Sequence, residues 1–169
     1  MTKQNKARLV ELYLADNRKR YPSLPDYARS VYAYKENGAN ALTRCVIDWI
    51  NFSGGQAERI STTGRYIDES KTVIDVIGRS RKIGSGKYIP GTGTKGSADI
   101  SSTIKPNWSE YGLSVKWEVK WKKDRQSEYQ KKYEVQIQNS GGFYFVISDF
   151  DSFVLIYDDF INNAPITIE

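Results

Sequence analysis

The order in which hydrophobic periodicities change along this chain predicts an α/β fold: a mixed β-sheet flanked by helices, preceded by a helical N-terminal extension. Three observations carry that expectation. Apolar residues recur at helical spacing within 40–55, they alternate with polar ones over 113–121, and a further helix-then-strand pair follows between 127 and 148. Helix, three strands, helix, strand is the order of an α/β sandwich around a mixed sheet. The 169 residues, 39% hydrophobic and 13% aromatic, suffice for one well-buried domain and are too few for two comfortable ones.

In order along the chain, residues 3–20 read as a basic helix with Leu9, Leu12 and Tyr13 on one side. Pro22 and Pro25 disfavour helix before each, so residues 1–38 are expected to form an extension and 39–169 the main domain. In "NALTRCVIDWINFSGG", Leu42, Cys45, Val46, Trp49 and Ile50 fall at i, i+3, i+4, i+7 and i+8, one core-facing stripe, and Gly54-Gly55 is a C-terminal signal. "QAERISTTGRYI" and "KTVIDVIG" read as short strands. The segment 78–96, with six glycines and five Lys/Arg, reads as a long, flexible, basic loop. Residues 100–104 are a strand, "KPNWSEYG" a turn, and Leu113, Val115, Trp117, Val119 and Trp121 alternate with Ser114, Lys116, Glu118 and Lys120. Asp124 or Ser127 caps the next helix, with Ser127-x-x-Gln130 matching a capping box. In that helix Gln126, Gln130, Tyr133 and Ile137 share a stripe, Tyr129 and Tyr133 being read as core. "FYFVIS" reads as a fully buried strand and "DSFVLIYDDFI" as a closing helix.

Composition excludes several chemistries. With no histidine, the chain has no Ser-His-Asp or Cys-His catalysis and no imidazole metal site. One cysteine, Cys45, permits neither an internal disulfide nor a thiolate zinc site within the chain. No run approaches the roughly 18 apolar residues of a membrane helix, and the N-terminus lacks the apolar core of a signal peptide. A cytoplasmic home is the expectation, with no membrane partner. A net charge of +5 tilts toward a polyanionic partner.

The odd residues are Asp99, Glu118 and Lys120, charged side chains where plain sheet surface would take Thr or Val. A period of two puts Glu118 and Lys120 on one face, roughly 7 Å apart. "GSADI", "WEVK", "KDRQSEYQ" and "NSGGFYFVIS" together resemble the VRR-NUC branch of the PD-(D/E)XK nuclease superfamily, over about residues 39–153. The resemblance implies a restriction-endonuclease-like core and a Mg²⁺- or Mn²⁺-dependent DNA endonuclease, Holliday-junction-resolvase-like, acting on branched or structured DNA in phage replication or recombination. It implies Asp99 and Glu118 as metal ligands with the Val119 carbonyl, and Lys120 and Gln130 as their catalytic companions. A symmetric homodimer would suit junction resolution. Three features depart from the family pattern: Ala98 stands where proline is usual, Asn40 or a neighbour where relatives carry a helix Glu, and Trp121-Lys122 is bulkier than the small residues often seen after the lysine.

Other readings of the same residues stay open. Asp99 suits a turn beside glycine, Glu118 and Lys120 suit a solvated strand face, and Gln130 suits the capping box alone. Asn40 suits a helix start. Arg79, Arg81, Lys82, Lys87 and Lys95 are expected to meet nucleic-acid phosphates, with Gln126, and Arg59 and Arg65 to belong to the same surface. Two further functions compete: a DNA-binding module that kept the fold without the chemistry, and a phosphate binder using "GTGTKG". That last segment lacks the spacing of a phosphate-binding loop and leads into a strand.

Overall fold

The computed structural model describes residues 1–62 and 64–164. Of these, 1–60 and 96–164 form one compact unit and 61–95 a second.

The first unit is built on a four-stranded mixed sheet. Its strands are β1 (Gln56–Arg59), β6 (Ile100–Ile104), β7 (Leu113–Val119) and β8 (Phe143–Ile147), in that spatial order. β1–β6 and β6–β7 are antiparallel, and β7–β8 is parallel. A parallel pair needs a crossover, supplied here by the helix α3 (Glu128–Asn139). Ile100 pairs with Trp117 and Trp117 with Phe145. One sheet face is therefore apolar: Ile100, Ile104, Val115, Trp117, Val119 and Ile147 lie in the core with α2 (Ala39–Phe52) and α4 (Phe150–Asn162).

The predicted stripe of α2 is the buried one: Leu42, Cys45, Val46, Trp49 and Ile50 are all in the core. Trp49 meets Phe150, Phe153 and Tyr157 edge-on, and Trp117 lies 5.0 Å from Phe153. Each such side chain contributes roughly 2–3 kcal/mol on burial, so this aromatic layer is the main attachment of α2 and α4 to the sheet. The α1 helix (Lys3–Arg20) joins the same core. Leu9 is fully buried, the Arg8 guanidinium lies 4.9 Å from the Trp49 ring, and Arg8 grips Asp158 with two hydrogen bonds of 2.9 and 3.1 Å.

The second unit corrects the expectation of a loop at 78–96. β2 (Arg65–Asp68) pairs with β5 (Gly86–Ile89), and β3 (Lys71–Ile74) with β4 (Ser80–Ile83), all antiparallel. Two residues intervene on each strand between the ladders, so one register runs through both and the unit is a single long two-stranded ribbon. Its turn is fixed by Asp75, whose Oδ1 accepts the amides of Ile77 and Arg79. Glycines obscured the strands because they read locally as breakers. Cross-strand pairing is non-local and overrides that signal.

Three smaller expectations are also corrected. Gln126 lies before α3, which starts at Glu128 with Ser127 as cap, because the capping box closes there. Tyr129 is 51% exposed, on a helix with no buried residue. β8 is only partly buried, Val146 being exposed, because β8 is an edge strand whose second face is thinly covered.

Candidate functional site

The polar sheet face, on the α3 side, assembles the site. Asp99 directly precedes β6, so the β6–β7 register carries it to the level of Glu118. Its Oδ2 accepts the Val119 amide at 2.9 Å, and its carbonyl accepts the Ile60 amide at 2.8 Å. Both bonds fix the carboxylate at the strand end. Glu118 projects from the last turn of alternation in β7 and is 1% exposed. Lys120 lies one residue past β7, where its amide donates to Ile147 and extends the parallel ladder.

Three side chains close around Glu118. Lys120 Nζ is 2.9 Å from Glu118 Oε1, and Gln130 Nε2 donates to the same oxygen at 2.5 Å. Tyr144 Oη donates to Oε2 at 3.3 Å. Lys120 Nζ also donates to Gln130 Oε1 at 3.0 Å and lies 3.5 Å from Asp124. Gln130 Oε1 accepts the Ser127 amide at 2.8 Å, so one side chain completes the capping box and contacts the buried pair at once. The two sequence readings of Gln130 are compatible, because its amide has separate donor and acceptor ends.

Electrostatics follow from this burial. The Glu118 carboxyl is held above its usual range: burial pushes it up, the Lys120 hydrogen bond pulls it down, and the Asp99 charge pushes it up again. The Asp99 charge thus opposes ionisation of Glu118, and the β6–β7 register sets both residues on the same side of the sheet. The Lys120 ammonium is strengthened overall, burial opposing it while Glu118 and Asp124 outweigh that. Burial raises the Tyr144 phenol, reinforced by the Glu118 charge, so Tyr144 stays a neutral donor.

Gly96 ties the segment before Asp99 to α3. Its φ is +86°, and a Cβ there would lie 2.5 Å from the Tyr129 main chain and 2.9 Å from the Gln130 amide. Only glycine lets the backbone come this close to the start of the helix that carries Gln130.

The structure brings Asp99, Glu118, Lys120 and Gln130 together, with the Val119 amide donating to Asp99. It adds Tyr144, which sequence reasoning missed. Its signal was the alternation within "FYFVIS", which sets Tyr144 and Val146 on the Glu118 face. Gln126 donates to Glu134 at 2.8 Å and lies beside Tyr144 rather than on Asp99 or Glu118. Asn40 is exposed in the first turn of α2, the helix on the apolar face, and Arg59 is exposed at the end of β1. Arg65, Arg79, Arg81, Lys82 and Lys87 are exposed residues of the second unit, as is Lys95.

No family model matches this chain, and no curated protein or solved structure matches it either.

The donor chemistry of the site is hard: two carboxylates and main-chain carbonyls, without histidine or thiolate. That set fits Mg²⁺ or Mn²⁺, which accept one or two carboxylates and keep waters. Among the described residues no group of three or more His, Cys, Asp or Glu gathers for a metal, so the protein's contribution would be a pair. Burial is the main cause of the raised Glu118 carboxyl and the Asp99 charge adds to it, so a cation held by these two acids would relieve that second contribution.

Proposed function

We propose that this chain is a metal-dependent DNA endonuclease of the PD-(D/E)XK type, close to the VRR-NUC branch, acting on branched or structured DNA. One observation carries the reading: Asp99, Glu118, Lys120 and Gln130 converge on one side of the sheet, at adjacent ends of β6 and β7. The strand order β1-β6-β7-β8, with its single parallel pair crossed over by α3, supports the same assignment.

In this reading Asp99, Glu118 and the Val119 carbonyl would hold Mg²⁺ or Mn²⁺, which when bound would supply Lewis-acid polarisation of a phosphate and a more acidic water. Lys120 sets its ammonium beside Glu118, where it counters charge developing on phosphate oxygens. Gln130 holds Lys120 and Glu118 in register from α3, a positioning task its capping box makes rigid. Tyr144 donates to the far oxygen of Glu118 and limits which way the carboxylate turns.

The test incubates labelled junction, flap, linear and single-stranded DNAs with the full chain and Mg²⁺ or Mn²⁺, with EDTA controls. Glu118→Gln and Lys120→Met are expected to lower cutting by on the order of a hundredfold or more while binding in EDTA persists. Cutting by both variants at the parent rate refutes the site. A second reading, DNA binding without cleavage, is favoured by the near-complete burial of Glu118, both of whose oxygens are taken by protein donors. Metal-independent binding with no cutting of any substrate would select it.

A further inference from the structure

The ribbon of the second unit has two unlike faces. Cross-strand partners share a face, and successive residues alternate. The odd-numbered face pairs Arg65 with Ile89, Ile67 with Lys87, Lys71 with Ile83, and Val73 with Arg81. Every one of these pairs joins a cation to a branched aliphatic residue. No acid sits opposite any of the four cations, all four are exposed, and among the described residues none is in an ion pair. Glu69, between the two ladders, is the acid on that side.

The even-numbered face is arranged differently. Its cation, Lys82, is 3.0 Å from Asp68. Tyr66 lies over Gly86 and Tyr88 over Gly64, so closely that a Cβ would come within 1.5 and 2.5 Å of their hydroxyl oxygens. The two tyrosines cover bare ribbon backbone and fix the direction of the alternation. One face is therefore neutral and closed on itself, the other cationic and unpartnered.

We propose that the odd-numbered face, through Arg65, Lys71, Arg81 and Lys87, is a duplex-DNA-binding surface, and that Lys82 is not part of it. Charge complementarity and size both argue for this occupant. Ten residues per strand span about 34 Å, near one turn of B-DNA, and a two-stranded ribbon fits the roughly 12 Å major groove. Cations stepping along alternate strands meet phosphates, while Ile67, Val73, Ile83 and Ile89 between them offer apolar contact without competing acids. The identity of the polyanion rests on the nuclease reading; the division between faces does not.

The experiment measures anisotropy of a labelled 30-base-pair duplex with the full chain in EDTA, which keeps cutting out of the readout. Replacing all four cations by alanine is expected to flatten the slope of log affinity against log salt by roughly 3–4, at about 0.9 per lost phosphate contact, and to weaken binding at 100 mM salt on the order of a hundredfold. Lys82→Ala should stay within twofold of the parent. A set that keeps charge (Arg65→Lys, Lys71→Arg, Arg81→Lys, Lys87→Arg) should keep the slope, separating charge from ribbon folding. An unchanged slope in the alanine set, a Lys82→Ala loss equal to that of Lys71→Ala, or competition by polyglutamate as strong as by duplex would each overturn the proposal. Cutting that survives with an unchanged slope sinks the ribbon surface alone. Ribbon-dependent binding without cutting sinks the nuclease alone.

Discussion

Removing the Lys120 ammonium while keeping its stem, as in Lys120→Met, isolates what holds Glu118 in the sheet. At 2.9 Å and an effective dielectric near 20, the gross attraction of the pair is about 6 kcal/mol, set against a desolvation cost of several kcal/mol per ion. The net worth of the pair is thus small, but leaving one member alone is expensive. Glu118 would keep Gln130 and Tyr144 as donors and lose the one countercharge it has among the described residues, with Asp99 still opposing its ionisation. Lys120→Met is expected to destabilise by about 3 kcal/mol. Glu118→Gln should cost less, about 1 kcal/mol, because Lys120 retains Asp124 and Gln130. The double variant should return to within about 1 kcal/mol of the parent, since two isosteres without charge need no compensation. Urea unfolding in EDTA reads this directly: with a slope near 2 kcal/mol per M, 3 kcal/mol is roughly a 1.5 M shift in midpoint. Additive effects, with the double variant the least stable, would refute the account of Glu118 as a buried charge tolerated only because Lys120 answers it.

Asp151 gives a pH dependence: burial pushes its carboxyl up, but the Thr2 amide, Asn5 and the Thr2 hydroxyl outweigh that and hold it at about 2, against an ordinary 3.8. A depressed carboxylate stabilises above its unfolded value and loses that contribution as pH falls through its folded value. The urea-midpoint difference between parent and Asp151→Asn should therefore be full at pH 7, shrink below pH 4 and be nearly gone by pH 2; a constant difference contradicts it. Gly96→Ala should destabilise by at least about 2 kcal/mol and impair cutting, because a Cβ at φ +86° meets the Tyr129 main chain; a variant as stable as the parent would mean α3 does not depend on that approach. Cys45, fully buried and pushed up to about 11 by burial and then by Asp48 and Glu36, should resist thiol labelling at pH 8 until urea unfolds the chain. Rapid labelling of the native protein would contradict the core packing of α2.

Much of the fold was legible because its signals are local. The α2 stripe, the alternation of β7 and the Ser127 capping box each state a periodicity or a cap within a few residues. The gathering of Asp99 with Glu118 was legible in part, since a strand joined by one turn to its neighbour leaves few registers. The ribbon was not, because the six glycines and the charges of 78–96 read as loop while its pairing joins residues as far apart as Arg65 and Ile89. Tyr144 was not, because it reaches Glu118 from a parallel strand across a helical crossover.

Sequence alone determined which side chains are charged, which faces of single helices and strands are apolar, and which chemistries a chain without histidine excludes. Those properties belong to residues or to neighbours along the chain. Tertiary structure decided that Glu118 is buried, that Lys120 and Gln130 rather than water surround it, and that the cations of the ribbon divide between two faces. Burial and register arise from contacts between segments distant in sequence, and no local pattern carries them.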